Sequence, residues 1–545
     1  MPDIEPLRPR VATALLALAC SLLPLNAQPP SKPPAPAIEP DAQSQGTVTV
    51  AGQAISYQAV AGTLTVGATD SQDAMLTPDG ALLPGTDQKP TDPSKPEEAP
   101  PLARMFYVAY FQQGASPASL PITFLYNGGP GSSSMWLHMG AFGPRRVITP
   151  GTRHQPGAPY KIENNAFSLL DTSDLVFIDA PGTGFSRISG KDKEKAFWGT
   201  DPDAHAFERF IRRFLTKYDR WNSPKYLLGE SYGTPRSAVL SAILHDVDLN
   251  GIVLLSTTLS FDNWADAPRW NPGIDQPYVL ELPTFAATAF YHHKLPHQPA
   301  ALQPFLKEVE TFAMSDYMTA LLQGSELTPA RKQAVAEKLH DYTGLPVAYL
   351  LKANLRVSVG AFNKELEDDE GLTVGRLDTR FLGPDYHRLS EEADYDPQAN
   401  AISAAYATAI NQYLRTDLHY GKNHTYFPTI YAEPTFAQWD QRHQAPGAPP
   451  AAATASGTNV MPDLARAMKA NPGMKILVAG GYFDLATPFF EGIYEMHHLS
   501  IPDSLQANIR YHYYEAGHMV YLNEAALKQF HDDVAAFIRE TASPK

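Results

Sequence analysis

The sequence predicts an α/β protein with a mostly parallel central sheet flanked by helices and interrupted by an inserted, mainly helical cap. Three observations lead there. Short apolar strands run straight into turns that carry chemically useful residues: Ile122 to Tyr126 into Asn127-Gly128-Gly129, Lys225 to Leu228 into Gly229-Glu230-Ser231-Tyr232-Gly233, Lys475 onward into Asp484, and Asn508 to Tyr514 into His518. A small-residue run, Ser237 to Leu244, follows the second of these turns and suits a helix packed tightly behind it. Between the second and third, the texture changes to aromatics scattered among helical segments such as Leu302 to Phe312 and Arg331 to His340.

Composition bounds what such a chain can do. Its 545 residues, 43% hydrophobic and 19% charged, can bury a large core. The net charge of −15, with no Lys/Arg-rich block, argues against a nucleic-acid or anionic-membrane partner, because both bind through clustered cations.

The order along the chain is as follows. Residues 1–27 read as an export signal, with Arg8 and Arg10 before the apolar run Val11 to Leu25, which is too short to span a bilayer. Cleavage after Ala27 gives a soluble periplasmic or secreted protein, and processing at Ala17-Leu18-Ala19-Cys20 would give a lipoprotein. Cys20 is the single cysteine, so cleavage after Ala27 leaves no thiol for a disulfide, a zinc site or a nucleophile. Residues 28–45 form a Pro-rich linker expected to be disordered. The first part of the core is expected over 46–261, opening with short strands Thr47 to Val50, Ala54 to Val60 and Thr63 to Val66 joined by Gly-containing turns as an antiparallel edge. The cap is expected over 262–441 and the second part of the core over 442–545.

Gly229-Glu230-Ser231-Tyr232-Gly233 fits a nucleophile elbow, a sharp strand-to-helix turn whose glycines relieve crowding and leave the Ser231 hydroxyl exposed. Asn127-Gly128-Gly129-Pro130-Gly131 can bring backbone N–H groups close to a ligand. No phosphate-loop pattern and no nearby lysine accompany it, so it reads as half of an oxyanion hole, Gly129 and Tyr232 being the donors. Asp484 and His518 follow strand ends in the order Ser, Asp, His that α/β-hydrolases use. His292, His293 and His297 cluster without nearby carboxylates or H-E-x-x-H spacing, so no metal is expected.

Taken together, Asn127 to Ser134, Gly143-Pro144, Leu175 to Ser186 with its Asp179-Ala180-Pro181-Gly182-Thr183-Gly184-Phe185-Ser186, and the Ser231 elbow resemble the serine carboxypeptidase family (peptidase family S10) of α/β-hydrolase fold. The resemblance spans about Phe106 to Thr257 and resumes from Lys475. It implies a cofactor-free serine carboxypeptidase acting on peptides, with Ser231, Asp484 and His518 as catalytic triad and Asn127 and Glu230 binding the substrate's C-terminal carboxylate. An esterase or acyltransferase is the alternative, although related acyltransferases often carry Asp where this chain has Glu230. Family members usually show a further Glu before the Gly-Pro, and here Met139-Gly140-Ala141-Phe142 stands instead, so strict C-terminal specificity is not implied. Ser132 stands where a disulfide-forming Cys is often found. Glu230 beside a substrate carboxylate would need to share a proton with it, which favours acid pH.

Overall fold

The computed structural model describes residues 39–86, 95–114, 120–264, 268, 271–431, 439–448 and 458–542. The export signal, the cleavage sites and the linker as far as residue 38 lie outside them.

Fourteen strands occur among the described residues: β1 Ala42–Val50, β2 Gln53–Gly67, β3 Leu102–Gln112, β4 Ile122–Tyr126, β5 Arg145–Val147, β6 Ile162–Asn164, β7 Asp174–Ile178, β8 Arg187–Ser189, β9 Lys225–Glu230, β10 Gly251–Leu255, β11 Leu372–Val374, β12 Leu382–Pro384, β13 Lys475–Gly481 and β14 Ile509–Tyr514. The main sheet runs β1-β2-β3-β7-β4-β9-β10-β13-β14, with β8 added to β3. Its first strands are antiparallel, and every pairing from β7 to β14 is parallel.

The inner parallel strands β4, β7, β9 and β10 are buried along their whole length because both faces of the sheet are covered. Leu125, Leu228, Val253 and Leu477 point into one core with the helices Pro397–Thr416 and Glu524–Ala542. Phe124, Leu227, Ile252, Leu254 and Ile476 point into the other, with Thr200–Lys217, Gly233–Ile243 and Met461–Ala470. The crossover between β10 and β13 carries a third core, built from the helices Gln276–Tyr291, Leu302–Phe312 and Pro329–Thr343. Its last long helix, Pro397–Thr416, joins the sheet's own core through Ile402, Tyr406, Ile410 and Tyr413.

Two expectations are corrected. The chain does not turn at Gly62: β2 is one strand, because Ala61 pairs with Ala42 on one side and Gly62 with Tyr107 belongs to a second continuous ladder on the other. Order begins before residue 46, since Ala42 to Gln45 pair with Gln58 to Ala61 and so lie in β1 rather than in a disordered linker.

Candidate functional site

The carboxyl ends of β4, β9, β13 and β14 converge on a cavity of about 580 Å³ lined by Asn127, Gly129, Glu230, Ser231, Tyr232 and His518, with Trp264, Arg376 and Tyr431 from the crossover region. Crevices outside the carboxyl ends of parallel strands are where such sheets bind ligands.

Ser231 sits between β9 and the helix Gly233–Ile243 with φ of 59°, a left-handed backbone that costs a non-glycine residue energy and is tolerated where the surroundings dictate it. The turn is tight enough that a Cβ at position 229 would lie 2.1 Å from the Gly233 carbonyl oxygen, which explains the glycine there. The amide of Ser231 donates to the Leu255 carbonyl at 2.9 Å, tying the elbow to the neighbouring β10.

The Asn127 loop lies against this elbow. A Cβ at Gly128 would be 2.2 Å from the Tyr232 nitrogen, so only glycine lets the two backbones approach, and Gly129 and Tyr232 both line the cavity. The loop is held from behind: Arg236, buried and paired with Asp203 at 2.6 Å, donates to the Asn127 carbonyl at 2.8 Å. Asp179 accepts from the Ser134 amide and hydroxyl at 2.8 and 2.7 Å, and burial pushes its pKa up to about 6. The chain at Phe427 to Ile430 pairs across it, with Ser133 donating to the Pro428 carbonyl at 2.9 Å.

His518 Nδ1 donates to Asp484 Oδ2 at 2.7 Å, with Asp484 fully buried. Asp484 also accepts from the amides of Ala486 and Thr487 at 2.8 and 3.1 Å and from the Thr487 hydroxyl at 2.7 Å, so its charge is compensated from several sides. The backbone of His518 is fixed by its amide donating to the Leu377 carbonyl at 2.6 Å and by the Ser256 hydroxyl donating to its carbonyl at 2.7 Å. Burial opposes charging of the imidazole, but Asp484 and Glu230 outweigh it and raise the His518 pKa.

Glu230 is buried, and desolvation pushes its pKa up to about 7 against the opposing effect of His518 and hydrogen bonds from Tyr521 and Asn127. Asn127 Oδ1 accepts the Leu137 amide at 3.1 Å, which orients its amide group towards that cluster.

All seven residues singled out from sequence thus line or adjoin one cavity, Asp484 standing behind His518. Others went unread. Thr487 had a local signal, the Asp-x-x-Thr spacing of a side-chain turn. Tyr521, Leu377, Arg236 and Tyr431 had none. Trp264 lines the cavity, whereas Tyr278 packs against the third core and Tyr291 is half exposed elsewhere. The histidine cluster does meet a carboxylate: the fold brings Glu367 to 3.7 Å from His292, where Lys294 already pairs with it at 2.7 Å. Among the described residues no group of three or more His, Cys, Asp or Glu is arranged to hold a metal ion, and no helix is long and apolar enough to cross a membrane.

A doubly covered parallel sheet with a strand–serine–helix elbow, and an acid and a histidine on the following strand ends, defines an α/β-hydrolase fold. Residues 98–250, which hold both the Asn127 loop and the elbow, match the serine carboxypeptidase family model. The pheromone-processing carboxypeptidase KEX1 of Ogataea parapolymorpha is 29% identical over 232 residues, 40% of this chain and 34% of that protein. A carboxypeptidase Y homolog of Arthroderma benhamiae is 36% identical over 124 residues, 23% of this chain and 22% of that one. The matches thus span about a third or less of these relatives' own length. The crystal structure of a prohormone-processing carboxypeptidase of Saccharomyces cerevisiae, KEX1(delta)P, superposes with a TM-score of 0.49 at 15% identity, covering 89% of this chain and 91% of that one.

Proposed function

We propose that this protein is an exported serine carboxypeptidase that hydrolyses C-terminal peptide bonds without a cofactor. The observation that carries the proposal is the buried His518–Asp484 hydrogen bond of 2.7 Å in a cavity whose wall presents Ser231 on an elbow. His518 takes the Ser231 proton as the hydroxyl attacks the scissile carbonyl. Asp484 holds the imidazole tautomer and stabilises the imidazolium. The Gly129 and Tyr232 amides receive the oxyanion, the amine leaves with the proton from His518, and water resolves the acyl-enzyme. Asn127 and Glu230 receive the substrate's terminal carboxylate.

The pH dependence follows from two groups. Below about 7 Glu230 carries a proton that it can share with a substrate carboxylate; above it, two like charges meet and KM rises. As pH falls, His518 becomes protonated and kcat drops. The two groups are coupled, because an anionic Glu230 helps raise the His518 pKa. Protonating Glu230 therefore keeps His518 a free base further into acid.

Ser231→Ala should lose several orders of magnitude in kcat with substrate binding retained. Wild-type enzyme should cleave free-acid peptides well and blocked peptides or simple esters poorly. Near-normal activity of Ser231→Ala sinks the mechanism, and preferred turnover of esters would replace the peptidase with the esterase or acyltransferase reading. Glu230→Gln should abolish the rise of KM towards alkaline pH and keep the acid limb of kcat that reports His518. Four superimposable KM curves, for wild type and variant on acid and amide forms of one peptide, would return Glu230 to scaffolding.

A further inference from the structure

Glu230 is gripped by a single side chain that the proposed mechanism does not use. Tyr521 Oη donates towards both its carboxyl oxygens, 3.1 Å from Oε1 and 2.9 Å from Oε2. Tyr521 lies on the short turn Val520–Leu522, just after His518, and is 2% exposed. Burial and the adjoining Glu230 raise its own pKa well above the usual value, so the phenol stays a donor throughout the working range. The other groups facing Glu230 are His518 and Asp484 from the loops after β14 and β13, Asn127 from the loop after β4, and Tyr406 from the helix Pro397–Thr416. Room for the two phenols comes from Gly140: a Cβ there would lie 2.5 Å from Tyr406 Oη and 2.7 Å from the Tyr521 ring.

We infer that Tyr521 is a positioning residue for recognition of the substrate's terminal carboxylate, holding Glu230 by both oxygens so that its carboxyl group faces the cavity in one orientation. A glutamate has three side-chain torsions, and a buried one without such a grip could turn its proton-bearing edge away. The inference rests on the proposed role of Glu230 and acts only through it.

The test uses Tyr521→Phe and Glu230→Gln, singly and together, with KM and kcat measured against pH on the free-acid and amide forms of one peptide and on a small ester. Tyr521→Phe should raise KM for the free acid about ten-fold, the effect of one hydrogen bond to a charged group. It should leave the amide KM, kcat and ester turnover near wild type. Losing a donor disfavours the carboxylate, so the alkaline rise in KM should also move to higher pH. In the Glu230→Gln background the same change should add nothing. An equal rise for acid and amide, an unmoved pH profile, or an additive effect in the double variant overturns the inference. Wild-type enzyme that binds both forms alike removes the Glu230 reading itself and this inference with it, a failure visible before any variant is made. Thermal unfolding monitors the fold. If Tyr521→Phe does not fold, Tyr521→Gln, which keeps a donor, must restore the preference for acid over amide, and its failure to do so overturns the inference.

Discussion

The stretch from β4 to β10 and the crossover between β10 and β13 meet at the same cavity by different physical routes. The first contributes backbone: a left-handed Ser231, the chain at Gly129 and Tyr232, and glycines at which an added Cβ would lie 2.1–2.2 Å from backbone atoms. The second contributes mostly side chains, Trp264, Arg376 and Tyr431 on the cavity wall, together with one backbone carbonyl, that of Leu377, which holds His518. Backbone demands leave residue types no freedom, whereas side-chain walls tolerate substitution. Chemistry should therefore be brittle in the first region and specificity adjustable in the second.

The sharpest challenge to this contrast is Gly128→Ala. The added methyl would meet the Tyr232 nitrogen at 2.2 Å and the Glu230 carbonyl at 2.7 Å, both backbone, so the loop must move and the two proposed oxyanion donors separate. A fall in kcat of about 10²–10³-fold is expected, the effect of losing one such donor, with a much smaller change in KM. Steady-state kinetics on one free-acid peptide decide it, and an active Gly128→Ala would show that the loop is not held as tightly as the packing implies.

The counterpart in the crossover is Trp264→Leu. Trp264 stands on the cavity wall, with the Arg376 guanidinium 5.6 Å from its ring and Phe261 at 6.2 Å. Trimming it should shift the ratio of kcat/KM between peptides with large and small side chains near the scissile bond by about ten-fold, while ester turnover barely changes. Should the profile stay fixed and only the melting temperature fall, Trp264 is core rather than specificity wall.

The same contrast explains what could be read from the chain. The elbow, the Asn127 loop, Asp484 and His518 were legible because each is a local event at a strand end, written in neighbouring residues. Helices such as Leu302–Phe312 were legible for the same reason, from their own periodicity. The Gly62 position misled because a glycine in a doubly paired strand has the same local signature as a turn. Tyr521 and Leu377 stayed hidden because their meaning lies in contacts with Glu230 and with His518, both distant in the chain, and no local pattern encodes such a meeting.

The two regions are joined by a buried pair of acids, and here the expected effect is smallest. Glu495, on the helix Phe489–His497, accepts the amides of Leu259 and Ser260 at 2.7 Å each, where the chain leaves β10 for the crossover. Its neighbour Glu491 accepts the Thr258 hydroxyl at 3.2 Å. Burial raises both pKa values, and for Glu491 the proximity of Glu495 adds to it. A carboxyl whose folded pKa is raised retains its proton after the unfolded chain has lost it, so the folded state binds more protons and stability falls as pH rises above the ordinary carboxylate range towards neutral and beyond. Unfolding midpoints in urea should thus decline from about pH 5 upward. Glu495→Gln removes one ionisation, while its NH₂ group cannot accept from the second of the two amides, leaving a buried donor unpaired at about 1–3 kcal/mol. The variant should be less stable than wild type in acid and should close the gap as pH rises, because only the wild type continues to lose stability by this route. Parallel stability curves for the two proteins would mean that Glu495 is already ionised in the folded state, its charge held by the two amides, and that the junction between sheet and crossover carries no pH-dependent component.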